Sequence, residues 1–145
     1  MSKEIGLKSI QGQKLIVFDG ISGVPLGKDL YEAFLKRGVD AFYLDGQELP
    51  KKPLSNIRGK IAKAVNRAKN KDGFYHFPKA SEESLKKILE REQPDILLVV
   101  GFLYRFVAPG FVDQLKKRMR FSLCLYDTDS CNFYSRRREF IFFLE

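Results

Sequence analysis

Short polar side chains are concentrated in segment 126–132 (YDTDSCN), directly after an apolar run of the chain. Two carboxylates spaced two residues apart accept hydrogen bonds from sugar hydroxyls, and one of them has the chemistry of a general base. Asp127 and Asp129 are therefore candidate catalytic residues, and Asn132 is a candidate substrate ligand. In the alternative interpretation, the two carboxylates cap turns and the start of a following helix. The segment supplies too few oxygen ligands for a metal ion, so no metal site is predicted.

A second candidate is the loop 101–106 (GFLYRF), in which an arginine lies among aromatic residues. The guanidinium of Arg105 can bind a phosphate or stack on an aromatic ring. Gly101, Tyr104 and Arg105 are therefore candidate substrate-binding residues. In the alternative interpretation, the apolar residues of the loop pack beneath the edge of a sheet and Arg105 is solvated.

The glycine-rich segment 20–27 (GISGVPLG) is the third candidate. A phosphate-binding loop of the Walker type has glycine where this chain has Ser22, and serine or threonine where it has Asp29. The dinucleotide pattern GxGxxG is also absent, although backbone amides at the start of the following helix can still hold an anion. Gly20, Ser22 and Gly23 are assigned to the lining of a substrate cleft. The alternative is a tight strand-to-helix turn that needs glycine for its backbone conformation.

Four apolar runs predict the strands that position these loops: residues 14–19, 40–45, 95–100 and 121–126. Strands that are apolar on both faces are typical of a parallel sheet covered by helices. Helices are predicted over 27–37, 54–71, 111–118 and 136–145, and one more begins after the capping residue Ser81. The predicted fold is a Rossmann-like three-layer α/β/α sandwich with a four-stranded parallel sheet in the order 2-1-3-4. Ligands bind at the carboxyl edge of such a sheet, where the candidate loops should meet.

Basic residues accumulate in the predicted helix 54–71. Its apolar residues recur at intervals of three and four, which predicts an amphipathic helix with one buried side: Ile57, Ile61, Ala64, Val65 and Ala68. The opposite side carries Arg58, Lys60, Lys63, Arg67 and Lys69, and Lys51 and Lys52 precede the helix. These cations, and the run 136–138 (RRR), indicate either a solvated surface or contacts to nucleic-acid phosphates.

Composition limits the class of protein. The chain has 145 residues, which is enough for one domain and too few for two. Its net charge of +8 favours anionic partners. No apolar run is long enough for a membrane span and the amino terminus lacks a secretory signal, so a cytoplasmic protein is predicted. The two cysteines, Cys124 in a buried strand and Cys131 in a loop, do not form a secreted disulfide framework. A lone His76 and the absence of CxxC spacing predict no metal site and no cofactor.

The carboxyl-terminal helix 136–145 ends on FFLE, without a cap or a stop signal. An apolar helix that ends in this way is unusual at a true terminus. The chain is therefore expected to be a fragment that a second domain follows.

Several segments, taken in order, resemble one known family. They are the strand ending in the glycine loop, the strand closing on Asp45, the basic helix carrying Asn66-Arg67, the run 93–100 (QPDILLVV), and the strand ending in 125–129 (LYDTD). This order resembles the amino-terminal domain of CgeB-like (spore-maturation type) glycosyltransferases, which are similar to the two-domain GT-B enzymes. Where that family pattern has adjacent acidic residues followed by proline, this chain has 127–130 (DTDS).

The resemblance implies a division of labour between two Rossmann-like domains. The amino-terminal domain holds the acceptor, the missing carboxyl-terminal domain binds most of the nucleotide-sugar, and transfer takes place in the cleft between them without a bound metal. This chain would then supply one wall of the cleft and would be inactive alone, with Asp127 or Asp129 as the base of an inverting mechanism; a retaining mechanism stays open.

A different class of function also fits the sequence. The alternative is a non-enzymatic, flavodoxin-like or receiver-like binding module that contacts nucleic acid or a protein through its basic helix. A receiver would have an acidic pair after the first strand and an aspartate after the third. Here the first strand ends in a single Asp19 and the third in Gly101, which counts against a receiver.

Overall fold

The structure is a four-stranded parallel β-sheet with helices on both faces. The computed structural model describes residues 10–21, 23–68, 78–103 and 105–126. The strands are β1 (Lys14–Asp19), β2 (Asp40–Asp45), β3 (Ile96–Val100) and β4 (Ser122–Tyr126). All neighbouring pairs are parallel, and the order is β2-β1-β3-β4. The architecture is Rossmann-like, which confirms the fold and strand order predicted from the sequence.

Strand β1 lies at the centre because its side chains are apolar on both faces. Leu15 and Val17 point to one side of the sheet, and Ile16 and Phe18 point to the other. All four side chains are almost completely buried. A strand of this composition is stable only between two helical layers, as parallel sheets generally require.

The described residues form four helices. They are α1 (Leu26–Lys36), α2 (Ser55–Ala68), α3 (Glu82–Glu92) and α4 (Pro109–Met119). Helix α1 packs on one face through Leu30 and Phe34. Helices α3 and α4 cover the opposite face, where Leu85, Leu89 and Leu115 are buried in the larger of the two cores. No helix in the described part of the chain is long and apolar enough to cross a bilayer.

Local features of the sequence account for the helix ends. The Ser81 hydroxyl accepts a hydrogen bond from the Ser84 N–H at 3.3 Å, which caps α3. Pro109 occupies the first turn of α4, where its missing N–H has no cost. Gly38 follows α1 with a φ of +74°, a conformation that favours glycine. Helix α4 runs from Pro109 to Met119 and is therefore longer at both ends than the predicted range 111–118.

The prediction that α2 buries its apolar side is wrong. The large apolar residues Ile57, Ile61 and Val65 are exposed, and the residues turned toward the domain are Ser55, which is buried, and Gly59 and Ala62, which are partly buried. Helices α1, α3 and α4 cover the two faces of the sheet, and neither core contains Ile57, Ile61 or Val65. Leu35 of α1 is also exposed.

The prediction that Cys124 lies in a buried strand is also wrong, because Cys124 is exposed. Strand β4 is the last strand on its side of the sheet and pairs with β3 alone among the described strands. Helix α4 lies on the face to which Leu123 points. In the described part of the chain no helix lies over the other face of β4, so Cys124 and Tyr126 are open to solvent.

Candidate functional site

The loops that follow the strands begin side by side at the carboxyl edge of the sheet. The Gly20 N–H donates to the Val100 carbonyl at 2.8 Å, and the Gly101 N–H donates to the Tyr126 carbonyl at 3.0 Å. On the other side of β1, the Gly46 N–H donates to the Asp19 carbonyl at 2.8 Å. The strand order changes direction between β1 and β3, which is where open α/β sheets form their binding crevice.

The predicted site glycines Gly20 and Gly101 lie at this edge, but both are buried. A β-carbon on Gly20 would lie 2.7 Å from the carbonyl oxygen of Phe102. Gly101 has a φ of +84°, and a β-carbon there would collide with the side chain of Ile21. These glycines let the loops after β1 and β3 pass in contact, so they shape the floor of the edge.

Gly23 has a different environment. It is exposed, its φ is +85°, and a β-carbon would meet nothing within 4 Å. A positive φ explains why the turn between β1 and α1 uses glycine here. The other candidate in this turn, Ser22, and the candidate Tyr104 lie outside the described residues.

A buried carboxylate, Asp19, organises the start of the first loop. Its side chain is only 3 % exposed. One carboxylate oxygen accepts the Ile21 N–H at 3.0 Å, and the other accepts the Tyr43 hydroxyl at 2.9 Å. A buried carboxylate requires such donors, because an unpaired charge in the interior is costly. Asp19 thereby joins β1, β2 and the glycine loop.

Tyr43 is held as a neutral hydrogen-bond donor by this arrangement. Burial raises the pKa of its hydroxyl well above the ordinary value, and the hydrogen bond to Asp19 raises the pKa further. The negative charges of Asp45 and Glu48 act in the same direction. Because the phenolate form is disfavoured, Tyr43 serves to fix the Asp19 carboxylate in place.

The Asp19 carboxylate also lies against the first turn of α1. A β-carbon on Gly27 would collide with it, so glycine is needed there for space. The positive end of a helix dipole favours a negative charge at this place. In nucleotide-binding Rossmann domains, the corresponding helix start holds a phosphate. Here the protein's own carboxylate is already present, which disfavours the bound anion that the sequence left open.

Arg105 is exposed and stacks on an aromatic ring of its own loop, while Leu103 and Phe106 are buried, as in the alternative interpretation of this loop. Its guanidinium carbon lies 4.2 Å from the centroid of the Phe102 ring, and its side chain is exposed at the carboxyl edge. Leu103 and Phe106 are buried beneath, and the Phe106 ring meets that of Phe18 edge-on at 5.4 Å. The loop thus combines an apolar base with an accessible cation.

Hydrogen bonds fix the position of this loop relative to α2 and α3. The Lys79 N–H donates to the Arg105 carbonyl at 3.3 Å, and the Lys52 N–H donates to the Lys79 carbonyl at 2.8 Å. Glu82, in the first turn of α3, accepts the Ala108 N–H at 3.1 Å and pairs with Lys52 at 3.4 Å. The loop after β3 and the start of α2 are therefore attached to the same short segment.

The predicted catalytic residues Asp127 and Asp129 and the predicted ligand Asn132 lie outside the described residues, as does His76. Tyr126, the residue before them, ends β4 at the carboxyl edge and is exposed. Among the described residues, no group of three or more His, Cys, Asp or Glu side chains could hold a metal ion.

Sequence reasoning did not identify the Asp19–Tyr43 pair as part of the site. The register aligns Val17 of β1 with Tyr43 of β2, and side chains two residues apart in a strand point to the same face. Asp19 and Tyr43 therefore share the α1 face. A polar residue at the end of a buried strand, beside a tyrosine of the neighbouring strand, was the signal available.

Comparison of the chain with protein-family models, with curated proteins and with solved structures finds no match.

Proposed function

We propose that this chain is the acceptor-side domain of a glycosyltransferase that uses a nucleotide-sugar donor. The observation that carries the proposal is the meeting of three strand ends at one edge. Val100 aligns with Tyr126 and Asp19 aligns with Val100 in the parallel register, so the following loops share one rim. A partner domain can close over a rim of this kind, which makes the cleft that sugar transfer requires.

The chemistry of the rim suits a neutral, hydroxyl-rich acceptor better than a diphosphate. The Asp19 carboxylate lies at the start of α1, where a nucleotide-binding domain would place phosphate. Exposed Tyr126 and the stacked pair Arg105–Phe102 offer an aromatic surface and hydrogen-bond donors. These features support binding of the acceptor here and binding of the nucleotide by a second domain.

In the proposed reaction, Asp127 or Asp129 takes the proton of the acceptor hydroxyl. The acceptor oxygen then forms a bond to the anomeric carbon of the donor sugar, and the bond from that carbon to the nucleoside diphosphate breaks. The leaving diphosphate is stabilised by the second domain. The chain alone is therefore expected to bind an acceptor without transferring sugar.

Saturation-transfer NMR on the full chain tests this proposal. We expect signals from neutral saccharides in a panel, and none from nucleotide-sugars at the same concentration. Arg105→Ala is expected to weaken saccharide binding by at least about tenfold, because a charged hydrogen-bond donor is lost. Arg91→Ala is the matched control, because Arg91 also lies over a phenylalanine ring, Phe42 at 5.7 Å, but belongs to the last turn of α3, before the amino end of β3. Binding of nucleotide-sugars alone, or equal effects of both variants, would contradict the proposal.

A second candidate is a non-enzymatic module that binds nucleic acid through α2. The exposed Lys51, Arg58 and Lys60 favour it, because segment 50–68 contains no acidic residue. Phosphate contacts make affinity fall steeply with salt. Titration of the chain with single-stranded and duplex DNA at several salt concentrations checks this candidate, and the absence of binding at low salt would dismiss it.

A further inference from the structure

Helix α2 and the residue before it expose a continuous apolar stripe. The stripe consists of Leu54, Ile57, Ile61 and Val65, which are 63 %, 55 %, 59 % and 47 % exposed. Their spacing of three, four and four residues places them on one side of a helix. Single exposed apolar residues are common, but a set aligned in this way marks an interaction surface.

The stripe is not a core face that failed to pack, because α2 uses a different side to contact the domain. Ser55 is buried, and Gly59 and Ala62 are partly buried. These small residues follow at intervals of four and three, so they also share one side of the helix. The most covered side of α2 therefore consists of small residues, and the large aliphatic side chains lie outside it.

Positively charged residues of α2 border the stripe. Segment 50–71 contains eight lysine or arginine residues and no aspartate or glutamate. At about 100° per residue, Arg58 falls on one border of the stripe and Lys60 falls on the other. Both side chains are exposed. The surface therefore combines an aliphatic centre with cations on both sides.

We propose that α2 docks this protein on an anionic lipid surface. An interfacial helix has an apolar side that enters the boundary between headgroups and acyl chains, with lysine and arginine facing the headgroups. In this orientation Ile57 and Ile61 leave water, and Arg58 and Lys60 contact lipid phosphates. The proposal rests on α2 alone and is independent of the transferase activity proposed above.

The aliphatic stripe favours a membrane over nucleic acid or a protein partner. Nucleic-acid phosphates attract the cations but offer nothing to four exposed aliphatic side chains. The centre of a protein interface is typically enriched in aromatic residues and methionine, and the stripe contains only leucine, isoleucine and valine. A lipid surface satisfies both halves of α2, because it is negatively charged and has an apolar interior.

Docking through α2 would also set the orientation of the sheet. The start of α2 is attached through Lys52 and Lys79 to the Arg105 loop at the carboxyl edge. When α2 lies flat on a bilayer, this edge is held close to the membrane surface.

Vesicle flotation with the full chain tests the proposal. We expect flotation with equimolar phosphatidylcholine and phosphatidylglycerol, and little with phosphatidylcholine alone. The double variant Ile57→Gln/Ile61→Gln is expected to lower the partition coefficient by at least about tenfold, because the apolar area that enters the bilayer is lost. Each of Arg58→Gln and Lys60→Gln is expected to lower it about fivefold, since a cation near an anionic surface contributes on the order of 1 kcal/mol.

Matched controls separate α2 from general charge and hydrophobicity. Leu35→Gln removes an exposed apolar residue from α1, and Lys116→Gln removes an exposed cation from α4. We expect both variants to float like the unaltered chain, with circular dichroism showing that every variant is folded. No flotation with anionic vesicles, or equal losses in the control variants, would overturn the proposal. Nucleic-acid binding that persists in Ile57→Gln/Ile61→Gln, without flotation of the unaltered chain, would assign α2 to the other partner.

Discussion

Helices α1 and α2 are both amphipathic, yet their apolar sides have opposite fates. In α1, Leu30 and Phe34 pack against the sheet. In α2, Ile57 and Ile61 face solvent. The two patterns look alike in the sequence, so apolar spacing identifies a helix without identifying what that helix contacts.

Connectivity explains the difference. Helix α1 alone links the paired strands β1 and β2, so it must lie over them. Helices α2 and α3 both lie in the connection from β2 to β3. The sheet face opposite α1 is covered by α3 and α4. Leu85 and Leu89 of α3 are fully buried there. Because α3 covers the sheet, the other helix of this connection, α2, can contact another molecule.

The largest expected effect is a difference in the free energy of unfolding between a variant of α3 and a variant of α2. Leu89→Ala is expected to lower the free energy of unfolding by about 2–5 kcal/mol, because it leaves a cavity in a closed core. Ile61→Ala is expected to change it by less than about 0.5 kcal/mol, as for most surface sites. Urea unfolding measures both variants. Similar losses would mean that the α2 stripe is part of the core in solution.

The next prediction compares two glycine variants to test how the start of α1 is held in place. Gly27 and Gly110 are each the second residue of a helix. Gly27→Ala is expected to cost about 1–3 kcal/mol, because the new methyl group forces the Asp19 carboxylate from its hydrogen bonds. Gly110→Ala meets nothing within 4 Å and is expected to stabilise α4 by up to about 1 kcal/mol. Thermal unfolding of both variants checks the contrast, and a stabilising Gly27→Ala would contradict the close contact with Asp19.

The same strands and helices show how much of the fold can be predicted from the sequence. Lys14–Asp19 and Asp40–Asp45 were predicted to the residue, because strands apolar on both faces have few alternatives in a chain of this size. The predicted sheet order follows from the Rossmann-like alternation of strands and helices. The exposure of β4 was missed because it depends on which helices cover an edge strand, and local composition contains no such information.

The candidate site was harder to predict than the fold. Arg105 lies in the loop after β3, and the sequence predicts this position because the residue follows a buried strand. The sequence shows Asp19 only as a lone strand-end residue, since its partner Tyr43 is 24 residues away and is brought beside it by the pairing of β1 with β2. Gly20 and Gly101 were assigned to a ligand, although close contact between loops uses glycine for the same steric reason.

A third prediction compares two leucines within α1. Leu30 packs into the smaller core, whereas Leu35 is 45 % exposed. Leu30→Ala is expected to cost about 1–2 kcal/mol from lost apolar burial, and Leu35→Ala less than about 0.5 kcal/mol. Urea unfolding of the two variants measures the difference. Equal costs would show that exposure along α1 does not track its energetic contribution, which would weaken the contrast with α2.

The smallest effect concerns the polar attachment of α1 and emerges only at alkaline pH. Burial and the hydrogen bond to Asp19 raise the pKa of Tyr43 in the folded chain. The folded state therefore keeps a proton that the unfolded state releases near pH 10, so the stabilisation is complete below that pH and is lost as the pH rises above it. The loss attributable to Tyr43 is at most about 1 kcal/mol per pH unit, reduced by its partial exposure.

Spectrophotometric titration of phenolate formation measures this shift directly. We expect one tyrosine of the folded chain to titrate well above the ordinary range, and Tyr43→Phe to remove that component. Tyr31→Phe is the matched control, because the Tyr31 ring lies 5.7 Å from that of Tyr43 and no hydrogen bond of its hydroxyl to another described residue is found. If the high component survives in Tyr43→Phe, the Asp19–Tyr43 bond does not hold the start of α1. Apolar contacts alone would then hold α1 on the sheet. The only difference between α1 and α2 would be that α1 has a sheet face to pack against.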